Sequence, residues 1–114
     1  MPSDLFAGIS VSNYAVAVEW YEKLVGSAPS FLPNEREAVW EVAEHRYVFI
    51  ELRPQHAGHA RNLLFVEDLD ALVAQIAHRG LDPDRRETLS NGVRKAAYCD
   101  PDGNEFEFGG APKS

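Results

Sequence analysis

Cys99 is the only cysteine in the 114 residues, so no intrachain disulfide can form. A lone cysteine in an apolar strand segment reads as core filling, and a reducing, cytoplasmic setting is expected. Long apolar runs are also missing: nowhere do about 18 apolar residues follow one another without a charge, and MPSDLFAG lacks the basic and apolar regions of a signal peptide. Neither a membrane span nor export is expected. Basic charge is scarce, with eleven Lys and Arg against eighteen Asp and Glu, a net charge of −7 and a pI near 5.0. That balance repels a phosphate backbone and excludes nucleic acid as the expected partner, whereas a neutral or cationic small molecule suits it. There is no Gly-x-Ser-x-Gly elbow, no phosphate-binding glycine loop and no pair of cysteine motifs, which sets covalent catalysis aside.

What is present is a packable domain, 45% hydrophobic and 11% aromatic, of a length that fits one domain over residues 1–114. It carries an internal repeat. ISVSNYAVAVEWYEKLVGSAP from Ile9 and LFVEDLDALVAQIAHRGLDP from Leu64 each read as a strand, a polar cap (Asn13, Asp68), a helix, a glycine stop (Gly26, Gly80) and a proline three residues later. Val18, Tyr21 and Leu24 or Val25 form the packing stripe of the first helix, and Leu69, Leu72, Val73 and Ile76 that of the second. Strands are predicted over Ala38 to Val42, Arg46 to Leu52, Asp84 to Thr88, Val93 to Asp100 and Glu105 to Phe108, with a further short one at Ser30 to Leu32. Each half is thus strand, helix and three strands. Module one covers about 5–53, the linker 54–60 and module two about 61–109.

The segment YCDPDGNEFEFGG closes the second half. Asp100-Pro101-Asp102-Gly103 has the residues of a type I turn, and the alternation after it places Phe106 and Phe108 on one face and Glu105 and Glu107 on the other. Two βαβββ modules, capped helices ending in glycine, Val66-Glu67-Asp68-Leu69-Asp70 opening the second helix and the closing Asp-Pro-Asp-Gly-Asn-x-x-Glu strand together resemble the vicinal oxygen chelate superfamily, the glyoxalase, bleomycin-resistance and extradiol-dioxygenase group. The resemblance spans about residues 5 to 109 and implies an α+β fold of two tandem βαβββ modules whose curled mixed sheets form a cleft.

Enzymes of that group hold a divalent metal with residues from the first and last strand of each module. Carried over, the positions are Phe6, Glu51, Arg61 and Glu107. The two carboxylates match a ligand set, but a phenyl ring cannot bind a metal and a permanently charged guanidinium repels one. His59, two residues before Arg61, is an alternative third ligand with Glu51 and Glu107 for Zn, Ni, Mn or Fe if the strand register shifts. The inward face implied by period two holds Tyr47 and Phe49 beside Glu51, and Phe65 beside Arg61, with Phe6 and Trp40 completing an aromatic-lined cleft.

The leading expectation is a metal-free, cofactor-free small-molecule-binding protein resembling bleomycin-resistance members, sequestering an aromatic or cationic compound, with Arg61 either binding a ligand anion or paired internally with Glu51 or Glu107. The alternatives are a metal-dependent isomerase, lyase or dioxygenase on Glu51, His59 and Glu107, and a structural dimer with a filled cleft. General acid–base chemistry by Glu51 or Glu107 stays open. His45 and His78 are expected in solvent, and a homodimer is expected because one chain leaves sheet edges bare.

Overall fold

The computed structural model describes residues 3–113. Its elements run β1 (Leu5–Val11), α1 (Tyr14–Val25), β2 (Phe31–Asn34), β3 (Glu37–Ala43), β4 (Arg46–Leu52), a 3-10 turn (Pro54–His56), β5 (Arg61–Phe65), α2 (Leu69–His78), β6 (Arg85–Thr88), β7 (Arg94–Cys99) and β8 (Glu105–Gly110). Two four-stranded mixed sheets result, ordered β1-β4-β3-β2 and β5-β8-β7-β6. In each, the first strand runs parallel to the last and the other neighbours are antiparallel. This is the two-module α+β architecture expected from the repeat.

The caps explain why the helices start and stop where they do. The Asn13 side chain accepts from Val16 N and the Asp68 side chain from Ala71 N, so each satisfies an amide that the helix itself leaves unpaired. Gly26 ends α1 in the left-handed region at φ 90°. Beside it the Arg79 guanidinium, just past α2, donates to the carbonyls of Lys23 and Leu24 at 2.5 and 3.1 Å. A Cβ on residue 26 would lie 2.9 Å from that guanidinium, so glycine also makes room for this clasp between modules.

Alternation then sorts the strands into two faces. Ile9, Val11, Ala38, Trp40, Val48 and Ile50 pack beneath α1 with Tyr21 and Leu24, while Tyr98, Phe106 and Phe108 pack with Ile76 and Leu69 of α2 in the same continuous core. Helix-side residues of both modules therefore build one interior, and the helices touch. Trp40 belongs there. It is fully buried, with its indole N–H donating to Ser27 O at 3.0 Å, which corrects its expected place in the cleft: opposite Val48, it takes the helix side of the sheet.

A buried polar knot ties the Asp100–Asn104 turn across the module boundary. Tyr21 donates its hydroxyl to Asp100 Oδ2 at 2.8 Å. The Asn104 amide donates to Asp100 Oδ2 and Ser10 O, both at 2.9 Å, and accepts from Gly58 N at 3.1 Å and Ala60 N at 2.9 Å. Asp102 accepts from the backbone amide and the hydroxyl of Ser12. Asp100 and Asn104 are 5% and 1% exposed, so these bonds replace hydration the turn has lost. Asn104 thereby fixes the residues leading into β5, and with them the position of Arg61.

Candidate functional site

The helix-free face of the first sheet is aromatic and acidic. Phe6 lies opposite Tyr47, Gly8 opposite Phe49 and Ser10 opposite Glu51. Phe6 and Tyr47 stack with ring centroids 4.5 Å apart and planes 8° from parallel, and Phe31 meets Tyr47 edge-on at 6.5 Å. The tip of the Phe49 ring lies over Gly8, where a Cβ would approach it to 2.7 Å. Phe6 and Phe31 remain 48% and 47% exposed, so this platform is an open wall. Carboxylates line it: Glu37 faces Glu51 across β3 and β4, and Glu41 faces Tyr47. Burial, then the nearby Glu41 carboxylate, pushes the Tyr47 phenol up from its ordinary value.

The corresponding face of the second sheet is built from ion pairs. Arg61 lies opposite Glu105, Leu63 opposite Glu107 and Phe65 opposite Gly109. Across the sheet Glu107 also pairs with Ala97, and Ala97 with Arg85. Glu107 is 2% exposed, yet charged partners reach it. Arg61 Nε donates to Oε2 at 2.9 Å and its terminal nitrogen to Oε1 at 3.4 Å, while Arg85 comes within 3.6 Å of Oε1 and donates to Glu105 at 3.0 Å. Hydrogen bonding from Arg61 holds the Glu107 carboxyl below its ordinary range against the opposing effect of burial.

Glu51 and Glu107 are not brought together within one chain. They occupy the helix-free faces of different sheets, and the contacts joining the modules come from the helix sides. A single chain thus contributes two separate walls, one aromatic and one charged. Of the two partners expected for Arg61, the carboxylate it meets is Glu107. His59 is exposed in the linker, and among the described residues no group of three His, Cys, Asp or Glu is placed to hold a metal ion. Within one chain the set Glu51, His59 and Glu107 does not assemble. Phe6 and Arg61, at two of the four implied ligand positions, offer no metal-binding atoms, so the four positions carried over do not fit the metal centre implied by the resemblance.

Between the modules lies a groove of about 580 Å³, lined mainly by apolar side chains including Leu5, Ala7, Val48, Leu64, Phe65 and Phe106. None of Glu51, Arg61 and Glu107 lines it. Arg85 is a site residue not among those expected from the sequence. The alternation Arg85-Arg86-Glu87 carried the signal, but only the register of β6 against β7 shows that Arg85 and Glu87 share the face of Glu107.

The fold and these faces define a two-module protein of the glyoxalase and bleomycin-resistance type. A crystal structure of a glyoxalase / bleomycin resistance protein from Catenulispora acidiphila DSM 44928 is 48% identical over 97% of this chain and 100% of its own, with a TM-score of 0.93. The chain belongs to the glyoxalase / bleomycin resistance protein family, within the vicinal oxygen chelate superfamily. More distant structures share the fold. A bleomycin-binding protein complexed with bleomycin is 16% identical, with a TM-score of 0.77 over 99% of this chain and 100% of its own. A lactoylglutathione lyase from Agrobacterium tumefaciens is 14% identical, with a TM-score of 0.76 over 96% of this chain and 95% of its own. No family model matches the sequence, and no curated protein does. Among the described residues no helix is long and apolar enough to cross a membrane.

Proposed function

We propose that this chain is a metal-independent binding protein that sequesters a flat aromatic compound, neutral or cationic, on the aromatic face of module one. The observation carrying this reading is the stacked, half-exposed Phe6–Tyr47 pair beside Glu41, with Glu51 further along the same face. Rigid aromatic area left open to solvent provides affinity for a planar ligand, and the surrounding carboxylates favour a positive charge over the rings. The family includes binding proteins and enzymes alike by the names of its structures, one of them bound to bleomycin. Binding is favoured here because Arg61 engages the carboxylate that the metal enzymes of the family would use as a ligand.

The functional unit in this reading is a homodimer. The outer strands β1 and β5 leave one edge each without a neighbour, and along them Leu5, Phe6, Leu63 and Phe65 are 48 to 65% exposed. Pairing these edges across a two-fold axis would satisfy their open backbone groups and set the aromatic wall of one copy against the charged wall of the other, with Phe6, Leu63 and Phe65 lining the cleft between them. The free thiol of Cys99 suits a reducing, cytoplasmic compartment. Calorimetric titration with bleomycin and with the planar dye proflavine tests the reading. Saturable binding that Tyr47→Ala weakens at least tenfold supports it; no binding of either probe, or binding indifferent to Tyr47→Ala, refutes it.

A further inference from the structure

Resting on that binding-protein reading and deepening it, we infer that Arg61 and Arg85 form a receptor for an oxyanion, so the aromatic ligand bears a carboxylate or phosphate group in addition to the positive charge that the acidic face of module one favours.

The two arginines approach the buried Glu107 carboxylate on one face of the sheet from either flank of β8, Arg61 from β5 and Arg85 from β6. Glu107 takes Nε and one terminal nitrogen of Arg61; Glu105 and Glu107 take one terminal nitrogen of Arg85. The remaining N–H donors of both groups have no partner among the described residues, and the side chains are 60% and 46% exposed. A guanidinium pinned along one edge presents its other donors in a fixed fork, which matches the paired oxygens of a carboxylate or phosphate.

The sign of the local field decides between an anion and a cation. This face carries Arg61, Arg85 and Lys95 against Glu87, Glu105 and Glu107, so formal charge balances. Accessibility tips the balance toward the cations: Glu107 is enclosed and Glu105 is one-third exposed, leaving Glu87 as the open carboxylate, whereas both guanidiniums are open. The chain's net charge of −7 opposes anions at long range, but screening over about 8 Å at physiological ionic strength leaves the adjacent guanidiniums dominant at contact. Leu63 and Phe65, 52% and 53% exposed on the same face, supply the apolar surface for the ligand's ring.

The test is calorimetric titration of the full chain with four probes sharing one ring system: 2-naphthoate, 2-naphthyl phosphate, 2-naphthylmethylammonium and 2-naphthalenemethanol. Either anion should bind at least tenfold tighter than the alcohol, and Arg85→Gln should remove that advantage without changing affinity for the ammonium probe. Arg61→Lys keeps a cation beside Glu107 and should lower anion affinity at least threefold. Which anion binds tighter identifies the group. Anions binding no better than the alcohol, or unaffected by both substitutions, overturn the inference; if the ammonium probe or the alcohol still binds, the aromatic-ligand reading survives. Failure of all four probes defeats both.

Discussion

Replacing Asn104 by alanine should destabilise the protein more than any exposed substitution, because one buried amide serves four partners. It accepts from Gly58 N and Ala60 N and donates to Ser10 O and Asp100 Oδ2, at 2.9 to 3.1 Å. Each such bond contributes about 1 kcal/mol net, and a polar group stranded away from water costs about 1–3 kcal/mol. Partial rehydration of the linker amides limits the loss, giving about 3–5 kcal/mol for Asn104→Ala. Unfolding stabilities lie at about 5–15 kcal/mol, so a large share is at stake. With about 4 °C per kcal/mol for a domain of this size, the melting temperature falls by about 12–20 °C. Asn104→Asp sharpens the test. Aspartate retains an acceptor for Gly58 and Ala60 but turns a carboxylate oxygen toward Ser10 O and Asp100, so it should be at least as damaging as alanine. Calorimetry or urea titration reads both variants. A loss under 1 kcal/mol for alanine, or near-native stability for Asn104→Asp, would refute the reasoning that the turn is held by this hydrogen-bond set.

Tyr21→Phe removes the hydroxyl donated to Asp100 inside the same knot; a loss of about 1–2 kcal/mol in urea unfolding is expected, and a neutral result would mean the contact adds nothing. Arg79→Ala leaves the carbonyls of Lys23 and Leu24 uncapped, so a loss of about 1 kcal/mol and faster amide exchange at the C-terminal end of α1 are expected. The depressed pKa of Glu107 makes stability depend on pH in a definite direction. The folded state binds its proton less readily than the unfolded chain, so this contribution is present above the ordinary carboxylate range and is lost as pH falls through the lower folded value. Glu107→Gln should therefore flatten the acid limb of stability against pH, and an unchanged acid limb would show that Arg61 does not hold the carboxylate ionised.

Most of the fold was legible because local chemistry and periodicity agree in both halves. Asn13 and Asp68 cap the helices as their residue type requires, and Glu105 and Glu107 alternate away from Phe106 and Phe108 along β8. Strand faces were harder. Trp40 lies in a run of alanine, valine and tryptophan whose period alone does not say which side meets the helix; its opposition to Val48 settles that. The site was legible one wall at a time. The positions of Phe6, Tyr47, Phe49 and Glu51 follow from strand alternation, and so do those of Arg61, Phe65 and Glu107. Their distribution over two sheets whose helix sides share a single core depends on contacts far apart in sequence, which no local pattern encodes. The same is true of Arg85, whose approach to Glu107 exists only through the pairing of β6 with β7.

In the proposed function the site binds its ligand without a metal. The most direct measurement determines the affinity for proflavine of protein stripped with chelator, then repeats the titration after adding Ni, Zn, Mn or Fe(II), with metal content measured on protein purified without chelator. Substoichiometric metal, an unchanged dissociation constant throughout and weaker binding in Tyr47→Ala are expected. Stoichiometric bound metal, or binding that appears only when metal is restored, would contradict it.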